Sequence, residues 1–129
     1  LAVEFANDKW LGEGEIDTTL EWLEDHDIAL ACADATELPL VVAATSDLAV
    51  VRFHGRRPAG WDPRPHRPTH RFPHRYSRAE LAEWVPRIRA LAASAGEVHV
   101  ILNNCYGDFA VQNAADLLDA LTAPPGRRR

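Results

Sequence analysis

The chain contains no methionine and only two cysteines, Cys32 and Cys105, among its 129 residues. Two isolated thiols cannot build the disulfide framework of a small secreted domain, and neither has a second cysteine at ligand spacing. Reduced thiols, and with them a cytoplasmic location, are therefore expected. No run approaches the roughly 18 to 20 apolar residues of a membrane span, and no charged-then-apolar leader precedes a small-residue cleavage site. No membrane partner is expected. No glycine-rich turn of the GxGxxG kind follows an apolar run, because the glycines of "LGEGE" are not preceded directly by one. HxH and HExxH spacings are missing too, so no metal ligand is assigned and the cofactor stays open. The missing methionine extends to the first position: Leu1 opens directly into "LAVEF" without polar lead-in or cap, as expected of a chain cut within a longer one.

What is present has the composition of one globular domain, 47% hydrophobic and 26% charged, and is long enough to bury a shared core. Four short apolar runs, "LAVEF", "IALACAD", "LAVVRFHG" and "VHVILNN", barely alternate and are too short for helices, which is the pattern of parallel strands covered on both faces. Helical patterns follow three of them. In "DTTLEWLEDH", Thr18 and Glu21 have capping-box spacing, with Leu20, Trp22 and Leu23 as the buried side. "YSRAELAEWVPRIRALAASAG" opens on a second box, Ser77 and Glu80, places Leu81, Trp84, Val85, Ile88 and Leu91 on one face, and closes at Gly96. Pro86 lies within it and removes a backbone donor, so a kink or a shorter helix is expected. In "GDFAVQNAADLLDAL", Asp108 is the candidate N-cap and Ala110, Ala114, Leu117, Leu118 and Leu121 form the stripe.

Strands alternating with helices imply an α/β fold with a parallel sheet and right-handed crossovers. An open doubly wound sheet and a TIM-like (β/α)8 barrel both satisfy the pattern. The lack of a phosphate turn favours the barrel, and four strands are about half of one, since typical barrels run to about 250 residues. Residues 1–121 are read as that half-barrel and 122–129, ending "GRRR", as a disordered basic tail.

Barrel enzymes build their sites where strands end, and all four runs end in polar side chains. Glu4 and Asn7 follow the first run, Asp34 ends the second, Arg52, His54 and Arg56 belong to the third, and Asn103 and Asn104 end the fourth. Strand parity puts Arg52 and His54 on one face, opposite Val51 and Phe53. An unpaired charge a layer below the rim is too costly to keep, so Arg52 is expected to pair with Glu4 or Asp34, structurally or as part of a site. Of the two asparagines, one is expected to line the mouth and the other to cap the following turn.

The stretch between the third strand and its helix is the most unusual. From Arg56 to Arg75 it holds six arginines, one acid and five prolines, a net +5 in a chain of −5 overall. Proline forbids helix there, and Trp61, Phe72 and Tyr76 supply flat faces. Arginines interleaved with aromatics suit phosphate or single-stranded nucleic acid, or form a solvated loop with no ligand at all. His66, His70 and His74 recur every four residues, a spacing that aligns nothing without a helix.

"LAVEFANDKW", "VVAATSDLAVVRFHGR", "RYSRAELAEWVPRIRALA" and "VHVILNNCYGDFAVQNAADLL" resemble, in order and spacing, the C-terminal half of the YecE-like family, domain of unknown function 72. The resemblance runs from Leu1 to Leu121 and implies a TIM-like barrel of about twice this length. It carries no established activity. The family pattern maps onto Glu4, Trp10, Asp34, Arg52, His54, Arg56, Tyr76, Asn103, Asn104 and Asn113. Where members read "VEFRH..SW", this chain has Ala6 and Asn7 in place of arginine and histidine, an altered corner of any site they share.

Three functions remain. The first is an enzyme acting on a phosphate-bearing or sugar-like substrate at the barrel mouth. In it Glu4, Asp34 and His54 are catalytic, while Arg52, Arg56, Tyr76, Asn103 and Asn104 bind substrate. The second is a non-catalytic module for nucleic acid or a phosphorylated ligand. The third is a truncated remnant that works only with a missing N-terminal half-barrel or by self-association, because an isolated half exposes two sheet edges.

Overall fold

Each of the four apolar runs forms a strand, and the strands lie parallel and side by side in chain order: β1 (Ala2–Val3), β2 (Ala29–Ala35), β3 (Leu48–Gly55) and β4 (Glu97–Leu102). The computed structural model describes residues 1–57 and 73–124. Helix α1 (Ile16–Asp25) joins β1 to β2, α2 (Arg78–Ser94) joins β3 to β4, and α3 (Phe109–Thr122) follows β4. Most of the proline-arginine stretch, with Trp61, His66, His70 and Phe72, lies outside the described residues, as do the last five residues.

The β2–β3 connection has no helix. Val41, Val42, Ala43 and Ala44 pack on the core in place of one. Thr45 fixes this segment to the sheet: its hydroxyl accepts from the Leu30 N–H at 2.8 Å and donates to the Ile28 carbonyl at 2.6 Å.

Helix boundaries follow local chemistry, with corrections. The Ser77–Glu80 capping box forms both of its bonds, and α2 runs unbroken through Pro86. It ends ahead of Gly96, with Ala95 as C-cap. Gly96 serves elsewhere: its N–H donates to Asp47 at 2.8 Å, and a Cβ there would stand 2.7 Å from the same carboxylate. Thr18 is not a cap. Helix α1 starts two residues earlier from the turn at Gly12, which places Thr18 inside it, and Trp22 is 52% exposed rather than part of the buried side. Asp108 occupies the N-cap position of α3 but accepts from the Gln112 side chain instead of a backbone N–H. On α3 the buried positions are Asn113 and Leu117, while Ala114 and Leu118 face outward.

Register decides which face each polar group takes. Leu30, Cys32, Val51, Phe53, Val98, Val100 and Leu102 point to the helices and form the main core with Tyr76, Leu81, Trp84, Ile88, Leu91 and Leu117. Ala29, Ala31, Val50 and Leu48 form a smaller cluster on the opposite face. Asp34 sits opposite Phe53 in the ladder and therefore belongs to the helix side. There it is 4% exposed and accepts four bonds: from Arg56 Nε at 3.0 Å and Nη2 at 2.8 Å, Tyr76 OH at 2.9 Å and Trp84 Nε1 at 2.7 Å. Burial alone would push the Asp34 carboxyl up. The bonds from Arg56, Trp84 and Tyr76 together outweigh burial and hold it below the ordinary carboxylate range.

Arg56 reaches this face because Gly55 breaks the alternation. The ladder shifts register at Asp34 and Ala35, and Gly55 has φ of 90°, a conformation that glycine adopts without steric cost. Its N–H donates to Tyr76 OH at 2.9 Å. The expectation of one mouth shared by all the strand-end groups is thus corrected for Asp34, Arg56 and Tyr76, which tie β2, β3 and α2 together on the far side.

Two outcomes follow for stability. The folded Asp34 carboxyl lies below its unfolded value of about 3.9, so its contribution is complete above that pH and is lost as pH falls through the folded value. Asp34→Asn is expected to lower stability at neutral pH by about 3 kcal/mol and to flatten the acid limb, read as urea midpoints against pH. Equal acid slopes in the two proteins would disprove this assignment. Thr45→Val leaves the Leu30 N–H buried without its acceptor and is expected to cost about 2 kcal/mol in the same assay.

Candidate functional site

On the face away from the helices, residues past the ends of β1 and β4 meet the second half of β3. Glu4 follows β1, Arg52 and His54 alternate along β3, and Asn103 follows β4, whose hydrogen-bond ladder its N–H extends by donating to the Phe53 carbonyl at 2.8 Å. The Glu4 carboxylate bridges the other two: Arg52 Nη1 donates to Oε2 at 2.9 Å, and His54 Nε2 lies 2.9 Å from Oε1. All three side chains are partly buried. Arg52 therefore pairs with Glu4, and not with Asp34 behind the sheet.

The bridge sets the imidazole's tautomer. A carboxylate oxygen only accepts, so His54 Nε2 carries the proton that faces Glu4, and Nδ1 of the neutral ring is left as an acceptor. Asn103 Nδ2 stands 3.5 Å from that Nδ1, a long contact that a substrate group can replace. The arrangement is a row of guanidinium, carboxylate, imidazole and amide, with Arg52 and His54 placed by alternation along β3 and Glu4 and Asn103 brought in from past the ends of β1 and β4.

Beside this row lies a hollow of about 280 Å³ lined by Glu4, Ala6, Ala35, Thr36, Glu37, Leu38, His54, Gly55 and Arg57. Thr36, Glu37 and Arg57 were not candidates from the sequence. Thr36 Oγ1 accepts from the Arg57 N–H at 2.5 Å, and Arg57 pairs with Glu37 at the rim. A threonine and an acid just past a strand, facing an arginine past the next, were the available signal. Ala6 is part of this wall and gives it only a methyl group.

The remaining candidates lie on the helix side. Arg56 is held by Asp34, Glu80 and Glu83, and these acids raise its pKa, the hydrogen bond with Asp34 first. The buried Tyr76 hydroxyl is pushed far up by burial and then by the Asp34 charge, so it stays protonated as a donor. Asn104 turns away from Asn103: its amide donates to the His74 carbonyl at 3.0 Å and to Asn113 Oδ1 at 2.9 Å. Asn113 in turn accepts from the Tyr76 N–H and donates to its carbonyl, at 2.9 and 2.8 Å. The two consecutive amides thus divide, one toward the mouth and one into a clamp on the residues that lead into α2.

Cys105 is exposed, its thiol against the Asn103 carbonyl at 3.3 Å, and Cys32 is buried. Among the described residues, no group of three or more His, Cys, Asp or Glu side chains is arranged to hold a metal ion, and no helix is long and apolar enough to cross a membrane.

UPF0759 protein YunF of Bacillus subtilis is 29% identical over 129 residues, covering 93% of this chain and 46% of that protein. The crystal structure of a DUF72 family protein from Enterococcus faecalis superposes with a TM-score of 0.81 at 26% identity, over 95% of this chain and 49% of the other. One from Thermotoga maritima gives 0.81 at 29%, over 95% and 46%. The chain thus spans slightly under half the length of these relatives. The family model described as protein of unknown function DUF72 matches residues 1–128, and with that match the chain belongs to the DUF72 family.

Proposed function

We propose that this chain forms the C-terminal half of a TIM-like barrel and carries an acid–base enzyme site for a small, hydroxylated, sugar-like substrate. The observation that carries the reading is the Glu4 carboxylate shared between Arg52 and His54. It fixes the ring, presents Nδ1 as the base, and stabilises the imidazolium that forms when Nδ1 takes a proton from a substrate hydroxyl. Arg52 offsets the charge of Glu4 while the ring is neutral. Asn103 orients the substrate oxygen beside Nδ1, and the Arg57–Glu37 pair at the rim opens for a substrate phosphate. Glu4 is then a positioning residue for His54 and not itself the base. The other four strands come from a preceding half-barrel or from a second copy.

A nucleic-acid module is the second reading; Arg64, Arg67 and Arg71 of the proline-arginine stretch lie outside the described residues, and only the arginines flanking them are placed. Arg56 and Arg57 at one end of the proline-arginine stretch, and Arg75 and Arg78 at the other, all pair with carboxylates. The Arg56 charge is taken up by Asp34, Glu80 and Glu83, whereas the exposed Arg75 and Arg78 share the one Asp116 carboxylate.

The test uses the intact barrel on a panel of sugar phosphates, aryl glycosides and phosphomonoesters. Glu4→Gln and His54→Ala are each expected to lower kcat by about 100-fold with little change in KM, and the double variant to fall no further than His54→Ala alone. Turnover that survives His54→Ala unchanged rejects the assignment. Retention on single-stranded RNA that weakens steeply with salt would support the binding module instead.

A further inference from the structure

Strand β2 lies between β1 and β3 and pairs with both. Yet the Glu4 carboxylate, which follows β1, holds Arg52 and His54 of β3 at 2.9 Å each. The bridge therefore crosses over β2. Adjacent strands lie about 4.8 Å apart, which puts the two outer ones about 10 Å from each other. Side chains stand roughly perpendicular to a sheet, so any sizeable group on this face of β2 would rise into the path between carboxylate and guanidinium.

Nothing on β2 rises there. Along this strand Leu30, Cys32 and Asp34 point to the helices, while the mouth face carries alanine at positions 29, 31 and 33. Ala29 and Ala31 pack with Leu48 and Val50. Ala33 has a different neighbour: it stands opposite Arg52 in the ladder and is only 9% exposed. Past the register shift, Ala35 lines the hollow together with Glu4 and His54. Alanine is a weaker strand former than valine or isoleucine, and backbone pairing makes no demand for it at this position. The demand comes from the space above it. The bridge closes within β1, β2 and β3, whatever strands pair with the outer edges.

We propose that Ala33 is a positioning residue for His54: its single methyl group keeps open the corridor through which Glu4 reaches Arg52 and His54. A larger side chain lifts Arg52 and the imidazole away from the carboxylate. The ring then loses the acceptor that holds its proton on Nε2, and Nδ1 is no longer fixed as the base. For its effect on turnover this inference rests on the acid–base reading of the mouth; for its effect on the bridge it does not.

The test is nitrogen NMR of the intact barrel with labelled histidine, recorded where the ring is neutral, with His54 assigned by the signal missing from His54→Ala. The parent is expected to hold the proton on Nε2. Ala33→Val is expected to show both tautomers in exchange, and Ala33→Ser, close to alanine in size, the tautomer of the parent. On a substrate of the barrel, Ala33→Val is expected to lower kcat by about 30-fold with KM little changed, and to add nothing to the loss caused by Glu4→Gln, because both remove one contact. An unchanged circular dichroism spectrum separates a lost bridge from a lost fold. Should Ala33→Val not fold, Ala33→Cys, intermediate in size, carries the same measurement. A folded variant that keeps the proton on Nε2 overturns the proposal, as does an additive loss in the double variant. Mixed tautomers in Ala33→Val together with turnover that survives His54→Ala would uphold the corridor and reject the acid–base reading, so the two fail separately.

Discussion

Inside a parallel sheet a carboxylate survives as a charge only if donors surround it, and four converge on Asp34 from three parts of the chain. Arg56 comes from the end of β3, Tyr76 from the approach to α2 and Trp84 from α2 itself. Phe53 closes the same space with its ring edge-on to Tyr76 and Trp84, both at 5.1 Å. The polar knot and the aromatic core are therefore one unit. Removing the charge does not merely delete one ion pair; it takes the carboxylate from the buried indole N–H of Trp84 and phenol of Tyr76, while Arg56, a third exposed, keeps Glu80 and Glu83.

That knot also shapes the opposite face. Gly55 and the register shift beside Asp34 end the alternation of β3 right after His54. Arg56 is drawn behind the sheet, and the mouth keeps a single row of Arg52, Glu4, His54 and Asn103. Had the strand continued regularly, a second guanidinium would stand beside His54 and compete for Glu4. Of the two carboxylates expected at the strand ends, Asp34 thus braces the sheet from behind, and Glu4 orders the row of Arg52 and His54 in front.

Much of this was legible in the sequence because it depends on local rules. Four short, mostly apolar runs marked the strands, Ser77 and Glu80 the start of α2, and alternation put Arg52 and His54 together. The cost of an unpaired buried charge foretold a carboxylate for Arg52. What could not be read depends on relations between strands. The face taken by Asp34 follows from its pairing with Phe53, which no spacing within β2 reveals. Arg56 changes sides through a bulge whose only trace is one glycine. Thr18 and Glu21 imitate a cap, yet the turn at Gly12 starts α1 earlier. Trp22 has the hydrophobicity of a core residue and the position of a surface one.

Asn113 meets the backbone of Tyr76 through both its amide groups, as a neighbouring strand would, although it belongs to α3. A helix side chain here takes the place of a peptide unit. The segment that enters α2 is therefore sealed by residues made some forty positions later in synthesis. Tyr76, at the far end of the stretch, is thus held from two sides, its hydroxyl by Asp34 and the Gly55 N–H and its backbone by Asn113.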